Sequence, residues 1–213
     1  MKKAYIYLVI FILFLLILKF LENKLKGNVG ELAVKKKLKK LNNKKYLALN
    51  NITLRNYSGN TSATQIDHVV VSIYGIYVIE TKNYKGIIYG SENSKNWTYN
   101  IYGNKYKFMN PINQNYAHIK AIKNAIGEEY KNIPYYSIIA FSNEAKVNID
   151  ASRASICKIP KVSKVIKSES YDEILSYEDI LYIKEKLENA QVDLSKRRHR
   201  REIKKAIRNR KYY

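Results

Sequence analysis

Asp67, Glu80 and Lys82, all within the stretch Gln65 to Gly86 (QIDHVVVSIYGIYVIETKNYKG), are the residues whose types and spacing could do chemistry together. Two carboxylates and an ammonium suit a divalent metal and an activated water, because hard cations take oxygen ligands and lower the pKa of the water they bind. The stretch consists of two apolar, β-branched runs, Val69 to Ile73 and Ile76 to Ile79, separated by Tyr74-Gly75, and it predicts a β-hairpin. In an antiparallel pair the start of one strand lies beside the end of the next. Asp67 and Glu80 are therefore expected to meet, although thirteen positions separate them. Side chains alternate along a strand, so Glu80 and Lys82 share a face, and His68 points away from Asp67, where it reads as a packed histidine. The bland alternative is an exposed Glu80–Lys82 ion pair, worth at most about 1 kcal/mol.

Other elements must position these groups. Gly27 to Leu41 has the helical period, with Val34, Leu38 and Leu41 on one stripe and lysines mostly on the other side. Glu31 falls on the apolar stripe, so it either turns a carboxylate toward the core or serves as a first-turn acid favouring the helix dipole. Tyr46 to Leu54 predicts a strand, and Arg55 to Thr64 a polar loop. After the hairpin, Gly86 to Tyr89, Trp97 to Tyr102 and Lys105 to Met109 suggest a small meander extending the same sheet. Asn110-Pro111 opens a helix to about Tyr130, because proline is tolerated in a first helical turn. Its expected core stripe is Ile112, Tyr116, Ile119, Ile122 and Ile126, with Gln114 and His118 on a flanking face beside Ala121 and Ala125. Tyr135 to Phe141 suits a central strand covered on both faces, and Ser155 to Ile159 a further one. Ser176 and Asp179 cap a helix to about Ala190.

The remainder concerns place and partners. Residues 4–21 begin with the unbroken apolar run Ala4 to Leu18, short but adequate for a membrane span of about 17–20 residues, and residues 1–3 form a short tail before it. A signal peptide would need small residues at a cleavage site, and KFLENKLKGN has none. Two lysines precede the run and many follow it, which predicts a single-pass cell-membrane protein whose body faces the cytoplasm. The 39 Lys and Arg against 18 Asp and Glu give a net charge of +21, which favours phosphate-rich or anionic-lipid partners. A coding bias toward Lys, Asn, Ile and Tyr would also account for it. Residues 191–213 form a basic tail. Cys157 is the single cysteine, which excludes an internal disulfide and reads as a small buried hydrophobe.

An Asp followed by Glu-x-Lys at the end of the adjacent strand resembles the PD-(D/E)xK nuclease superfamily. More closely, GNVGE, QIDHVVVS, GIYVIETKNYKG, the lone Trp97 and NPINQN resemble, in order and spacing, the nuclease-related domain called NERD. The resemblance covers about Gly27 to Ile126. It implies an α/β fold with a mixed central sheet flanked by helices, here preceded by one transmembrane helix. The nuclease-like domain is expected over 27–142, and 143–190 adds a strand and helix that complete it.

Residue by residue, the resemblance implies that Asp67, Glu80 and the Thr81 backbone carbonyl coordinate Mg²⁺ or Mn²⁺. Lys82 would orient the attacking water, and Glu31 would complete the site from the helix. Gln114 matches the glutamine of a motif seen in related branches, where a tyrosine usually stands four residues later; this chain has His118 there. The implied reaction is phosphodiester hydrolysis, with DNA favoured over RNA. The alternative is a catalytically silent nucleic-acid-binding or scaffolding protein at the inner membrane surface. A homodimer is left open, since two-strand cutting by one-site nucleases commonly needs two active sites.

Overall fold

The computed structural model describes residues 2–56 and 63–193. Part of the expected polar loop and nearly all of the basic tail lie outside the described residues. The chain opens with α1, Lys2–Leu38, a single helix of 37 residues. The sequence predicts a transmembrane helix over 4–21 and a separate helix from Gly27. The structure joins them, because nothing between Leu18 and Gly27 breaks a helix: the segment holds good helix formers and no proline. Among the described residues no helix is long and apolar enough to cross a membrane.

Five strands form the main sheet in the order β1-β2-β3-β7-β9. They are β1 (Tyr46–Arg55), β2 (Ala63–Ser72), β3 (Gly75–Lys82), β7 (Tyr135–Phe141) and β9 (Ser155–Lys158). β1, β2 and β3 pair antiparallel, while β7 and β9 join parallel. The expected hairpin is β2–β3, with Ser72 opposite Gly75 and His68 opposite Ile79. Gly75 closes its turn at φ 126°, where a Cβ would stand 2.5 Å from the Pro134 carbonyl oxygen.

One face of this sheet carries Val69, Val71, Ile76 and Val78 against α2 (Pro111–Ile126) and α4 (Tyr177–Asn189). The other carries Val70, Tyr77 and Ile79 against the second half of α1 and the short α3 (Val162–Ser168). Alternation along the strands thus delivers two apolar layers, and the central strands are buried on both sides. The α/β expectation of a mixed sheet flanked by helices holds.

Two expectations do not. The segments after the hairpin, β4 (Gly86–Tyr89), β5 (Asn96–Ile101) and β6 (Asn104–Met109), do not extend the main sheet. They form a second one with β8 (Ala145–Asn148), in the order β6-β5-β4-β8. Buried Trp97 stacks on Phe141 of β7 at 6.4 Å and closes the seam between the two sheets. β8 and α3 carry no periodicity signal in the sequence, because four and seven residues are too short for one.

The second departure concerns α2, where Tyr116 is 57% exposed and Asn115 and His118 are buried instead. The helix turns a polar flank to the sheet because strand atoms receive it. Asn115 Nδ2 donates to the Val78 carbonyl at 2.9 Å, to Ser137 Oγ at 3.1 Å and to the Ile138 carbonyl at 3.2 Å. Asn110 caps the helix through Oδ1, which accepts the Ile112 N–H at 2.9 Å. Its Nδ2 donates to the carbonyls of Glu92 and Ser94, both at 2.8 Å, so the start of α2 is pinned to the β4–β5 turn.

Candidate active site

The open end of the β2–β3 hairpin brings Asp67 and Glu80 together on the face that packs against α2. Asp67 Oδ2 accepts the Thr81 N–H at 2.8 Å, which fixes the carboxylate beside the end of β3. Glu80 is only 5% exposed. Its Oε1 accepts from Lys82 Nζ at 2.7 Å, and its Oε2 lies 3.2 Å from His118 Nε2. A carboxylate only accepts, so Nε2 carries the proton there, and Nδ1 meets the Thr64 hydroxyl at 2.9 Å. A polar chain therefore runs Thr64, His118, Glu80, Lys82 from β2 through α2 to β3.

The electrostatics divide the carboxylates. Burial pushes the Asp67 carboxyl up to about 7, and the charges of Glu80 and Glu31 add to the rise. Burial would raise Glu80 as well, but the His118 hydrogen bond and the Lys82 charge overcome it and hold that carboxyl below its ordinary value. Lys82 is held above its usual value, burial notwithstanding, by the charge of Glu80. Glu31 on α1 is half-buried, and burial followed by the Glu80 charge raises it too. It reaches this end of the sheet because α1 comes down on β3 at Gly30. A Cβ on Gly30 would lie 2.9 Å from Asn83 Cβ and 3.2 Å from Thr81 Cγ2.

Gln114 sits one turn before His118 on α2, and its Oε1 is buried without a partner, as is Thr81 Oγ1. The structure thus brings Asp67, Glu80 and Lys82 into one cluster, sets Glu31 within its electrostatic reach and puts Gln114 on the helix face that delivers His118. His118 itself is the residue sequence reasoning did not assign. Its signal was the four-residue spacing from Gln114, which stacks the two side chains on one face of a helix. His68 lies 2% exposed on the opposite face, with Nδ1 2.8 Å from Asn50 Oδ1.

Among the described residues no group of three or more His, Cys, Asp or Glu is arranged to hold a metal ion. The donor chemistry nevertheless fits a hard divalent cation. Asp67 and Glu80 offer oxygen, their repulsion would be relieved by positive charge, and Mg²⁺ is often held by one or two carboxylates plus substrate oxygens. A cleft of about 510 Å³ opens at the end of β3, lined by Thr81, Lys82, Tyr84, Lys85 and Tyr99 among others.

Comparison with known proteins adds independent information. A family model described as the nuclease-related domain matches residues 26–142. An uncharacterized protein of Bacillus anthracis is 40% identical over 164 residues, covering 75% of this chain and 74% of its own length. No solved structure matches the chain.

Proposed function

Because the chain belongs to the nuclease-related domain family, we propose that its buried acidic cluster hydrolyses phosphodiester bonds with the help of a divalent metal. The observation that carries this reading is the meeting of Asp67 and Glu80 beside Lys82, itself a wall residue of a cleft, with Asp67 driven up to about 7. Carboxylates forced together in a buried place cost stability, and such arrangements concentrate where charge is used.

Asp67, Glu80 and the Thr81 carbonyl would hold Mg²⁺ or Mn²⁺, which supplies a water of lowered pKa and charge to match the reacting phosphate. Lys82 is the cation of the site. Its ammonium, which donates to Glu80 Oε1, has further protons to give to the attacking water or a phosphate oxygen. Glu31 approaches from α1 and adds negative charge that favours the cation. Gln114 offers an unpartnered buried oxygen on the helix that carries His118. His118 fixes the Glu80 carboxylate through Oε2 and leaves Oε1 to Lys82. The substrate we propose is DNA, on the strength of the +21 charge, with a homodimer as the form that would cut both strands.

We also propose that the protein sits at the inner face of the cell membrane through 4–21. The support is the run from Tyr5 to Leu18, whose described side chains are all exposed on α1, as an apolar stretch meeting lipid would be. A second reading, a catalytically silent binding domain, draws on the saturation of Glu80 by Lys82 and His118.

Incubation of the 213-residue chain with labelled DNA and RNA in Mg²⁺, Mn²⁺ or EDTA separates the two. Cleavage should require metal and fall about 10²–10³-fold in Lys82→Ala. Cleavage by Lys82→Ala equal to the parent would sink the assignment, and none by the parent in either metal would leave the silent reading.

A further inference from the structure

Three tyrosines beside the acidic cluster form a ring ladder that the hydrolytic chemistry does not use. Tyr84, on the segment after β3, stacks on Tyr99 of β5 with centroids 4.8 Å apart and planes 11° apart. Tyr99 stacks in turn on Tyr106 of β6 at 5.1 Å and 21°. Tyr99 and Tyr106 are direct cross-strand partners, so the register of the second sheet builds the ladder. On the same face, one pair back, Trp97 and Phe108 are turned inward to the seam between the sheets. The face thus runs from a packed interior to an open rim, where Tyr106 is 48% exposed.

Position gives the ladder its meaning. The cleft that holds Thr81 and Lys82 is lined by Tyr84 and Tyr99. A second hollow, of about 440 Å³, shares Lys85, Ile101 and Glu144 with it and ends at Tyr102, Gly103 and Lys146. Tyr102 is fully exposed at the tip of the β5–β6 turn and holds φ at 51°, a conformation that non-glycine residues seldom adopt. The two adjoining hollows therefore set cations beside aromatic rings: Lys82 and Lys85, each held by a carboxylate (Glu80 at 2.7 Å, Glu144 at 2.6 Å), and Lys146 farther along, with Tyr84 and Tyr99 in the wall and Tyr106 at its rim. Phosphates need the first and unstacked bases the second. A duplex keeps its bases stacked on each other and offers rings nothing but its backbone.

We propose that this track binds single-stranded nucleic acid, with an unpaired base stacking on Tyr106, the exposed end of the Tyr84–Tyr99–Tyr106 ladder, while the strand's phosphates pass Lys82 and Lys85. The inference rests on the phosphodiesterase reading for the direction of the strand, and it names the substrate class as single-stranded or frayed. Sequence preference is weak on this account, since every base has a face to stack.

Binding can be measured apart from cleavage, by fluorescence anisotropy of a labelled 12-nucleotide oligothymidylate and of a blunt duplex of the same length, both in EDTA. The single strand should bind more tightly than the duplex. Tyr106→Ala, on an edge strand and outside the core, should weaken single-strand binding ~5–100-fold and leave duplex binding unchanged. Tyr106→Phe keeps the ring and should match the parent. Tyr99→Leu should lower the same preference. Equal loss on both substrates, or an unchanged single-strand affinity in Tyr106→Ala, overturns the platform. If the preference is found yet neither Mg²⁺ nor Mn²⁺ supports cleavage, the hydrolytic reading falls and the platform stands as a binding site.

Discussion

The two ends of the β2–β3 hairpin are built to opposite standards. At the turn, Ser72 Oγ donates to the Gly75 carbonyl at 2.9 Å and accepts the Tyr74 N–H at 3.1 Å. The Ile73 carbonyl accepts the N–H groups of Ile174 and Leu175 at 2.8 and 3.0 Å, so the turn is tied to the segment before α4. Every one of these polar groups has its partner. At the open end, burial and neighbouring charge push Asp67 and Glu31 up, and buried Thr81 Oγ1 and Gln114 Oε1 have no partner. One strand pair thus holds a finished end that anchors the fold and an unfinished end whose groups are kept ready for a substrate or a cation.

Asp67→Asn tests that contrast most severely. Its Oδ1 can still accept the Thr81 N–H, so the local geometry survives while one of the repelling charges goes. Cleavage should fall about 10²–10³-fold, and thermal unfolding in EDTA should show a protein more stable by ~0.5–2 kcal/mol. A variant that is both inactive and less stable would mean that the open end is structural after all.

Ser72→Ala asks the converse at the turn. It removes a partner from a buried carbonyl and from a half-buried N–H, so stability should drop by ~1–3 kcal/mol while cleavage at low temperature stays within a factor of two or so of the parent. Chemical denaturation and a cleavage assay on the same preparation read both quantities. Loss of cleavage in a fully folded Ser72→Ala would join the two ends into one unit and remove the comparison.

Much of this architecture could be read in the residues. The β2–β3 hairpin, β1, β7, the cap at Asn110-Pro111 and the Ser176–Asp179 capping box each rest on short-range patterns that decide local structure by themselves. The meeting of Asp67 with Glu80 follows from strand pairing alone. The role of His118 is not legible in the sequence because it depends on the rotation of α2, and that rotation follows from Asn115 finding strand carbonyls, a tertiary event without periodicity. The second sheet is hidden from the sequence for a similar reason. β4 finds its parallel partner in β8, fifty-odd residues later, and a four-residue strand gives no warning of it. The tyrosine ladder was invisible as well, since it depends on the register of β5 against β6 and on where the chain leaves β3.

Glu92 provides the finest contrast, being a carboxylate with a surplus of donors where Asp67 has a deficit. It accepts the N–H of Ser152 at 3.1 Å and of Arg153 at 2.7 Å, the Ser152 hydroxyl at 3.1 Å and the Arg153 Nε at 2.9 Å. These bonds, the backbone ones first, hold its carboxyl down at about 2. A depressed carboxyl stabilises the fold above its ordinary value of about 4.3 and loses that contribution as pH falls toward the folded value. The melting temperature of the parent should therefore exceed that of Glu92→Ala by a constant margin near neutrality, and the margin should narrow from about pH 4.5 downward. A margin that stays the same from pH 6 to pH 3 would show that Glu92 ties the β4–β5 turn to the segment before β9 by packing alone. In that case ionisation would distinguish the open end of the hairpin from the rest of the fold less sharply than the paired and unpaired atoms imply.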